Sequence, residues 1–167
     1  RINCLLKGFS GIRPEPVRLL AECLNRDVLP LIPGQGSVGA SGDLAPLAHM
    51  ALLLVGEGLA LGDATPVPGG EALRQAGLEP VRLEAKEGLA LINGTQLITS
   101  LGCLMVARLQ ELVPLADEIA ALSLEALRGT RAAFDPRIHA ARPHPGQIET
   151  ARHLREILGE TSQIAES

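Results

Sequence analysis

A helical pattern that runs with little interruption from Gln96 to about Leu127 sets the terms for this chain. Only Pro114 stands against it, and that residue is expected to kink or divide the helix. The pattern begins earlier, at Ala85, and is broken once by Asn93-Gly94-Thr95. The side chains available to pack such a helix point the same way. Phe9 and Phe134 are the only aromatics among 167 residues, so a core has to be built from Leu, Ala, Ile and Val. Leu and Ala are good helix formers, and the length suffices for a domain with a real core. The expected fold class is mainly α.

The remaining elements follow from breakers and caps. Arg1 to Phe9 reads as the end of a helix, stopped by Ser10-Gly11. Pro14 to Arg26 reads as a second helix, with both prolines in the first turn and an apolar stripe of Val17, Leu20, Ala21 and Leu24. Leu29 to Gly42 carries Pro30, Pro33, Gly34, Gly36, Gly39 and Gly42 and is a loop. Asp43 is placed to cap a helix that runs to about Val55. Residues 59–70 read as an irregular excursion or a small hairpin, and Glu71 to Ala76 as a short helix closed by Gly77. Arg128 to Gly146 is loop-like, and Gln147 to Leu158 is a final amphipathic helix. No repeat or linker divides the chain. With no initiator Met and no cap or breaker at either end, residues 1–167 are expected to be one piece of a central helical domain, cut at both ends.

Several function classes fall away. The formal net charge is −4 and no basic patch with interleaved aromatics occurs, so nucleic acid is not an expected partner. Cys4, Cys23 and Cys103 are odd in number and lie in apolar runs, which suits buried thiols in a reducing cytosol. There is no CxxC, and His49, His139, His144 and His153 follow no zinc spacing, so no metal is expected. His49 is expected to be buried and hydrogen-bonded. No signal peptide is visible, and the longest apolar stretch, Met50 to Val55, is too short to cross a bilayer.

Two glycine patterns compete for one loop. Gly34, Gly36 and Gly39 fit G-x-G-x-x-G, with Glu57 eighteen residues after Gly39, which imitates a dinucleotide-binding fingerprint. That motif needs a strand before the first Gly, and Pro30 and Pro33 would each remove a ladder donor from it. The second pattern, Gly39-Ala40-Ser41-Gly42-Asp43, is not a hydrolase elbow, because Asp43 stands where the final Gly belongs. On residues alone, Ser41 or Asp43 could simply cap a helix.

Gly36-Ser37-Val38-Gly39-Ala40-Ser41-Gly42-Asp43-Leu44-Ala45-Pro46-Leu47-Ala48-His49 resembles the signature of the aromatic amino acid ammonia-lyases. Three further blocks resemble the family in the right order: Lys7 to Arg13, Lys86 to Gln96 and Phe134 to Arg142. The resemblance covers essentially the whole chain. It implies the central part of a long-helix bundle lyase fold. It also implies an autocatalytic prosthetic group, a methylidene-imidazolone cyclised from Ala40-Ser41-Gly42, with no external cofactor.

The residue types suit that chemistry. In the family's cyclisation the amide nitrogen of residue 42 attacks the carbonyl carbon of residue 40, and two waters leave. Gly42 has no Cβ to obstruct the approach and tolerates strained backbone angles. Ser41 carries the hydroxyl whose loss leaves a methylidene. Ala40 is small enough for a ring to close around it. A planar amide is a poor nucleophile, so the fold has to hold the loop compressed. The resemblance also implies that Asn93 lies near electrophile and substrate, and that Leu44 lines the pocket. A plain break between two helices, with Gly94 making the turn, is the alternative for Asn93.

The wording of Ala45 to His49, Asn93 to Gln96 and Arg137 to Arg142 is most similar to the histidine-acting branch of the family. The implied reaction is deamination of L-histidine to trans-urocanate and ammonia in a cytoplasmic homotetramer. Phenylalanine or tyrosine ammonia-lyases and aminomutases of the same family are the alternative. A dinucleotide-binding module and a non-catalytic helical interaction domain remain from other classes. Family descriptions include substrate attack through the amine or through the ring, and the sequence is compatible with both. The family's active-site tyrosines, its carboxylate-binding arginine and a later acidic residue have no counterpart expected within residues 1–167. Apolar faces such as Leu97, Leu101, Leu104 and Val106 are expected to be exposed on the isolated chain.

Overall fold

The computed structural model describes residues 1–160 and 162–164. Helices dominate: α1 (Ile2–Leu5), α2 (Pro14–Asn25), α3 (Leu44–Leu54), α4 (Gly69–Gln75), α5 (Glu87–Ile92), α6 (Gln96–Ala126), α7 (Pro136–Ala141) and α8 (Pro145–Ile157). Two short strands, β1 (Leu59–Ala60) and β2 (Val67–Pro68), pair antiparallel, with Leu59 opposite Pro68 and Ala60 opposite Val67. This is the small hairpin expected in 59–70. Gly69 is required just after it, because a Cβ there would lie 2.2 Å from the carbonyl oxygen of Glu57. The chain forms two compact units, Arg1–Gly102 and Cys103–Ser167.

In the first unit, α3 is apolar on nearly every side, which dictates that it be surrounded. It packs most extensively on α5, and also on α4, α2 and β1. Leu53 and Leu54 are fully buried, and each such side chain contributes about 1.5–3 kcal/mol of apolar transfer free energy. Val17, Leu19, Cys23, Leu73, Ala90 and Leu91 complete this core. The buried face of α2 differs from the expected stripe. Pro16, Val17, Leu19 and Cys23 are buried, whereas Leu24 is exposed, because Cys23 turns inward.

An ion pair fixes how α2 and α5 begin. Arg13, at the N-cap of α2, donates its backbone N–H and Nε to Glu87 Oε1, both at 2.9 Å. Its Nη2 donates to Glu87 Oε2 at 2.8 Å, and Glu84 N–H donates to the same oxygen at 2.7 Å. Glu87 is only 1% exposed, and these donors, the Arg13 guanidinium first, hold its carboxyl down at about 2.

The second unit has a smaller core of Ala121, Leu154, Leu158 and Ile164, with Leu124 and Phe134 against it. Residues expected to be one loop here contain a 3-10 turn, Ala132–Phe134, and α7. Asp135 caps α7 by accepting from Arg137 N–H at 2.8 Å, and Pro136 follows at the first helical position. The buried His139 donates Nε2–H to Ala133 O at 3.2 Å and accepts at Nδ1 from the Gln147 amide at 2.8 Å.

Other expectations are corrected. The first helix spans four residues, and Gly8 with φ +80° ends any continuation to Phe9. Cys4 and Cys103 are exposed, and only Cys23 is a buried thiol, its pKa pushed up mainly by desolvation. The His49 side chain is half-buried and makes no hydrogen bond to a described residue. α6 continues through Pro114 as one helix rather than dividing. The stretch Glu87–Ala126 is long and apolar enough to cross a membrane by length and composition, although no contiguous apolar run within it is long.

Candidate active site

The segment carrying Ala40-Ser41-Gly42 is a loop slung between two anchors. At its start, Leu31 N–H donates to Leu59 O and Leu61 N–H to Leu29 O, both at 2.8 Å, so β1 pins the entry. At its end, Asp43 O accepts from Leu47 N–H at 2.9 Å and closes the first turn of α3. Residues 31–43 form no helix or strand. The strand that a dinucleotide fingerprint requires before Gly34 is therefore missing, and the following helix opens at Leu44 rather than inside the glycines.

Between the anchors the backbone is bent hard. Gly36, Gly39 and Gly42 have φ of +123°, +94° and +72°. Gly42 is buried, and a Cβ on it would lie 2.0 Å from Ser37 Oγ. A side chain at 42 would need left-handed backbone and a shift of the Ser37 hydroxyl, so glycine suits this position chiefly on conformational grounds. Ser41 is half-buried, and its Oγ accepts from Asp43 N–H at 3.3 Å. Ala40 is exposed. A bent turn with a Cβ-free residue two positions after a small one fits the requirements of ring closure between residues 40 and 42.

Asp43 departs from the expected role. It occupies the N-cap position of α3, but its side chain makes no hydrogen bond there. Instead its carboxylate is 1% exposed and accepts from the N–H groups of Leu97 (2.8 Å) and Ile98 (3.2 Å and 3.3 Å), in the first turn of α6. Sequence patterning carried no signal for this contact between residues more than fifty positions apart.

Asn93 is the C-cap of α5, with φ −91° and ψ 90°, and is exposed. Its N–H donates to Leu89 O at 3.0 Å. In the turn after it, a Cβ on Gly94 would have to displace the ends of the Gln96 and Arg1 side chains. Arg1 spans the same turn, donating Nη2 to Ala90 O at 2.6 Å and Nη1 to Gln96 Oε1 at 3.1 Å. Leu44, the first residue of α3, is half-exposed and available to a ligand. An apolar cavity of about 230 Å³ lies elsewhere in this unit, lined by Leu20, Cys23, Val28, Met50 and Leu53 among others, and includes none of these site residues. No group of three or more His, Cys, Asp or Glu suited to a metal occurs among the described residues.

Fold and site together define a helical scaffold that presents a glycine-bent Ala-Ser-Gly turn at a helix N-terminus. The aromatic amino acid lyase profile matches residues 1–167, and the chain belongs to that family. A histidine ammonia-lyase of Gloeobacter violaceus is 56% identical over 165 residues, covering 99% of this chain and 32% of that protein. The crystal structure of histidine ammonia-lyase from Trypanosoma cruzi superposes with a TM-score of 0.81 at 47% identity, covering 92% of this chain and 30% of that one. A tyrosine aminomutase from Streptomyces globisporus gives 0.79 at 46% identity, over 93% and 29% of the two chains. The chain thus spans about a third of the length of the curated relatives it matches. The helical-bundle lyase fold is the one expected.

Proposed function

We propose that this chain is a single central piece of the helical domain of an ammonia-lyase. The enzyme converts L-histidine to trans-urocanate and ammonia, and the chain carries its electrophile-forming segment. The observation that carries the reading is the buried turn at Gly42, where φ is +72° and a Cβ would displace the Ser37 hydroxyl. Ala40, Ser41 and Gly42 would become the methylidene-imidazolone by forming a bond from Gly42 N to the Ala40 carbonyl carbon with loss of two waters. That group supplies a Michael-acceptor carbon, which activates an amino acid for loss of ammonia. No external cofactor and no metal are needed.

The chain's own residues do the rest. Leu44 N–H and Ala45 N–H, at the open end of α3, have no side-chain cap, and Pro46 has no N–H to offer. The positive end of the α3 dipole therefore favours negative charge beside Gly42. Asn93 contributes an amide that holds substrate near the segment, and Leu44 contributes an apolar contact. The reading includes a cytoplasmic homotetramer with no nucleic acid or membrane partner. In it, the apolar length of α6 is a bundle face, covered by other helices.

Peptide mass spectrometry tests the reading on the full-length protein. The peptide holding residues 40–42 is expected to be lighter by two waters, and urocanate absorbance to rise with L-histidine. Ser41→Ala and Gly42→Ala should each remove both signals while the protein stays helical. Near-wild-type turnover by Ser41→Ala overturns the chemistry. The near-equal identity to the tyrosine aminomutase, 46% against 47%, supports one other reading. Tyrosine and phenylalanine are therefore assayed alongside histidine, with detection of β-amino acids.

A further inference from the structure

We infer that Arg1 and Gln96 are positioning residues for the proposed reaction, with the Arg1 guanidinium bridging the last turn of α5 to the first residue of α6 and so fixing Asn93 between them. The inference rests on the proposed function and adds to it two side chains that stand outside its chemistry.

Helix α5 is six residues long, and the carbonyls of its last turn lack partners within it. Leu89 O accepts from Asn93 N–H at 3.0 Å. Ala90 O would receive Gly94 N–H if the helix went on, but Asn93 leaves helical backbone with ψ 90°. Arg1 takes that oxygen instead, through Nε at 3.1 Å and Nη2 at 2.6 Å. No basic residue lies in the last turn of α5, so the positive charge favoured at a helix C-terminus comes from Arg1. The remaining arm, Nη1, donates to Gln96 Oε1 at 3.1 Å, and Gln96 Nε2 in turn donates to Cys4 Sγ at 3.4 Å.

The guanidinium thus ties Ala90 to Gln96, with Asn93 midway along the segment between them. A planar fork suits two separate oxygens, whereas a lysine ammonium is a point charge on a flexible stem and holds no such pair in one geometry. Gly94 leaves the space, since a Cβ there would displace the ends of both clamping side chains. Arg1 is itself anchored. Its carbonyl accepts from Cys4 N–H and Leu5 N–H at 3.0 Å and 3.1 Å, and Leu5 is buried in the core of this unit with Ile2 packed against it. The Asn93 side chain is exposed and makes no hydrogen bond to a described residue, so its place is set by the backbone that the clamp holds. None of the clamp's hydrogen bonds involves residues 40–42. Loss of the clamp therefore loosens the amide and spares the electrophile.

The test uses the full-length protein with Arg1→Met, Arg1→Lys and Gln96→Leu, each made alone and together with Asn93→Ala. Three quantities are measured: the cyclised fraction by peptide mass, turnover of L-histidine per cyclised chain, and the melting temperature. Arg1→Met should lower turnover per cyclised chain by roughly tenfold to 100-fold, the scale of a misplacement of about 1 Å, with the cyclised fraction near that of the wild type. Arg1→Lys should recover part of the loss, and Gln96→Leu, which removes one arm, should lose less. In the Asn93→Ala background each change should have little further effect, because no amide is left to place. Wild-type turnover per cyclised chain in Arg1→Met, with only the melting temperature lowered, overturns the inference. So does a loss equally large with and without Asn93, or a loss that lies only in the cyclised fraction. Should Arg1→Met fail to fold, Arg1→Lys and Gln96→Leu decide on the same criteria. A wild-type protein without the two-water loss overturns the proposed function and this inference together, whereas a cyclised, active wild type beside an unaffected Arg1→Met overturns the inference alone.

Discussion

Asn93 shows how far a single residue can be read. In the sequence it was a polar break between helical stretches, and only the surrounding block tied it to a catalytic role. The structure makes it the exposed C-cap of α5, held by a backbone bond to Leu89 O and followed by a turn over which the Arg1 and Gln96 side chains lie. Its amide makes no hydrogen bond to a described residue, so a purely architectural role would rest on its backbone alone. Asn93→Ala in the full-length protein is therefore expected to fold, with its melting temperature nearly unchanged. It should lose on the order of 10²-fold in turnover, the scale for a positioned polar group at a reacting centre. Kinetics and thermal unfolding on one preparation check this, and a stability loss with wild-type turnover per folded molecule would leave Asn93 as a helix break. The role proposed for Ala40, Ser41 and Gly42 can be framed from sequence because its chemistry is local, confined to three adjacent residues. The contact made by the Asp43 carboxylate was not legible, because its partners are amides, which every residue carries, and no side-chain pattern marks which amides are left unpaired.

At the scale of elements, starts were legible and faces were less so. Pro14, Pro136 and Pro145 stand at the first positions of α2, α7 and α8, where proline signals a helix start. Periodicity alone does not reveal α7. Six residues give too short a window for periodicity, and its stability comes from the Asp135 cap and from His139 packed beneath it. The Arg13–Glu87 pair joins two of the family-like blocks, and it makes a prediction about acid. The carboxyl of Glu87 sits at about 2 rather than the ordinary 4.5, so the folded state holds the ionised form more tightly than the unfolded chain does. Its contribution is complete above the unfolded value and is lost as pH falls from about 4.5 towards 2. Glu87→Gln should cost on the order of 2 kcal/mol at neutral pH, less than a fully buried pair because the Arg13 side chain is 37% exposed and partly screened. The gap between the melting temperatures of wild type and variant should narrow through that acid window. A gap that stays constant from pH 6 to pH 3 contradicts the assignment.

For the molecule as a whole, α6 poses the main physical question. Leu101, Leu104, Met105, Val106, Leu109, Leu112, Val113 and Ile119 are all exposed on it, while Leu97, expected to join them, is half-buried beside the Asp43 cap. Among its described side chains only Asp117 and Ala121 are buried. The long helix was the most legible feature of the sequence, yet the partners of its apolar surface were not, because a hydrophobic pattern states that a face is covered without saying by what. A helix with this much apolar surface in water associates. The relatives are about three times as long as this chain, and these 167 residues contain no tyrosine. The 167-residue chain by itself is therefore expected to give no urocanate from L-histidine and to scatter light as a species larger than a monomer. Association should weaken when Leu104 and Leu112 are replaced by Gln, because both are exposed and so are not needed for either core. A clean monomer of the unmodified chain would remove the argument from α6. Measurable histidine deamination by that chain would show that its own residues, Ala40-Ser41-Gly42 with Asn93 and Leu44, suffice for the reaction.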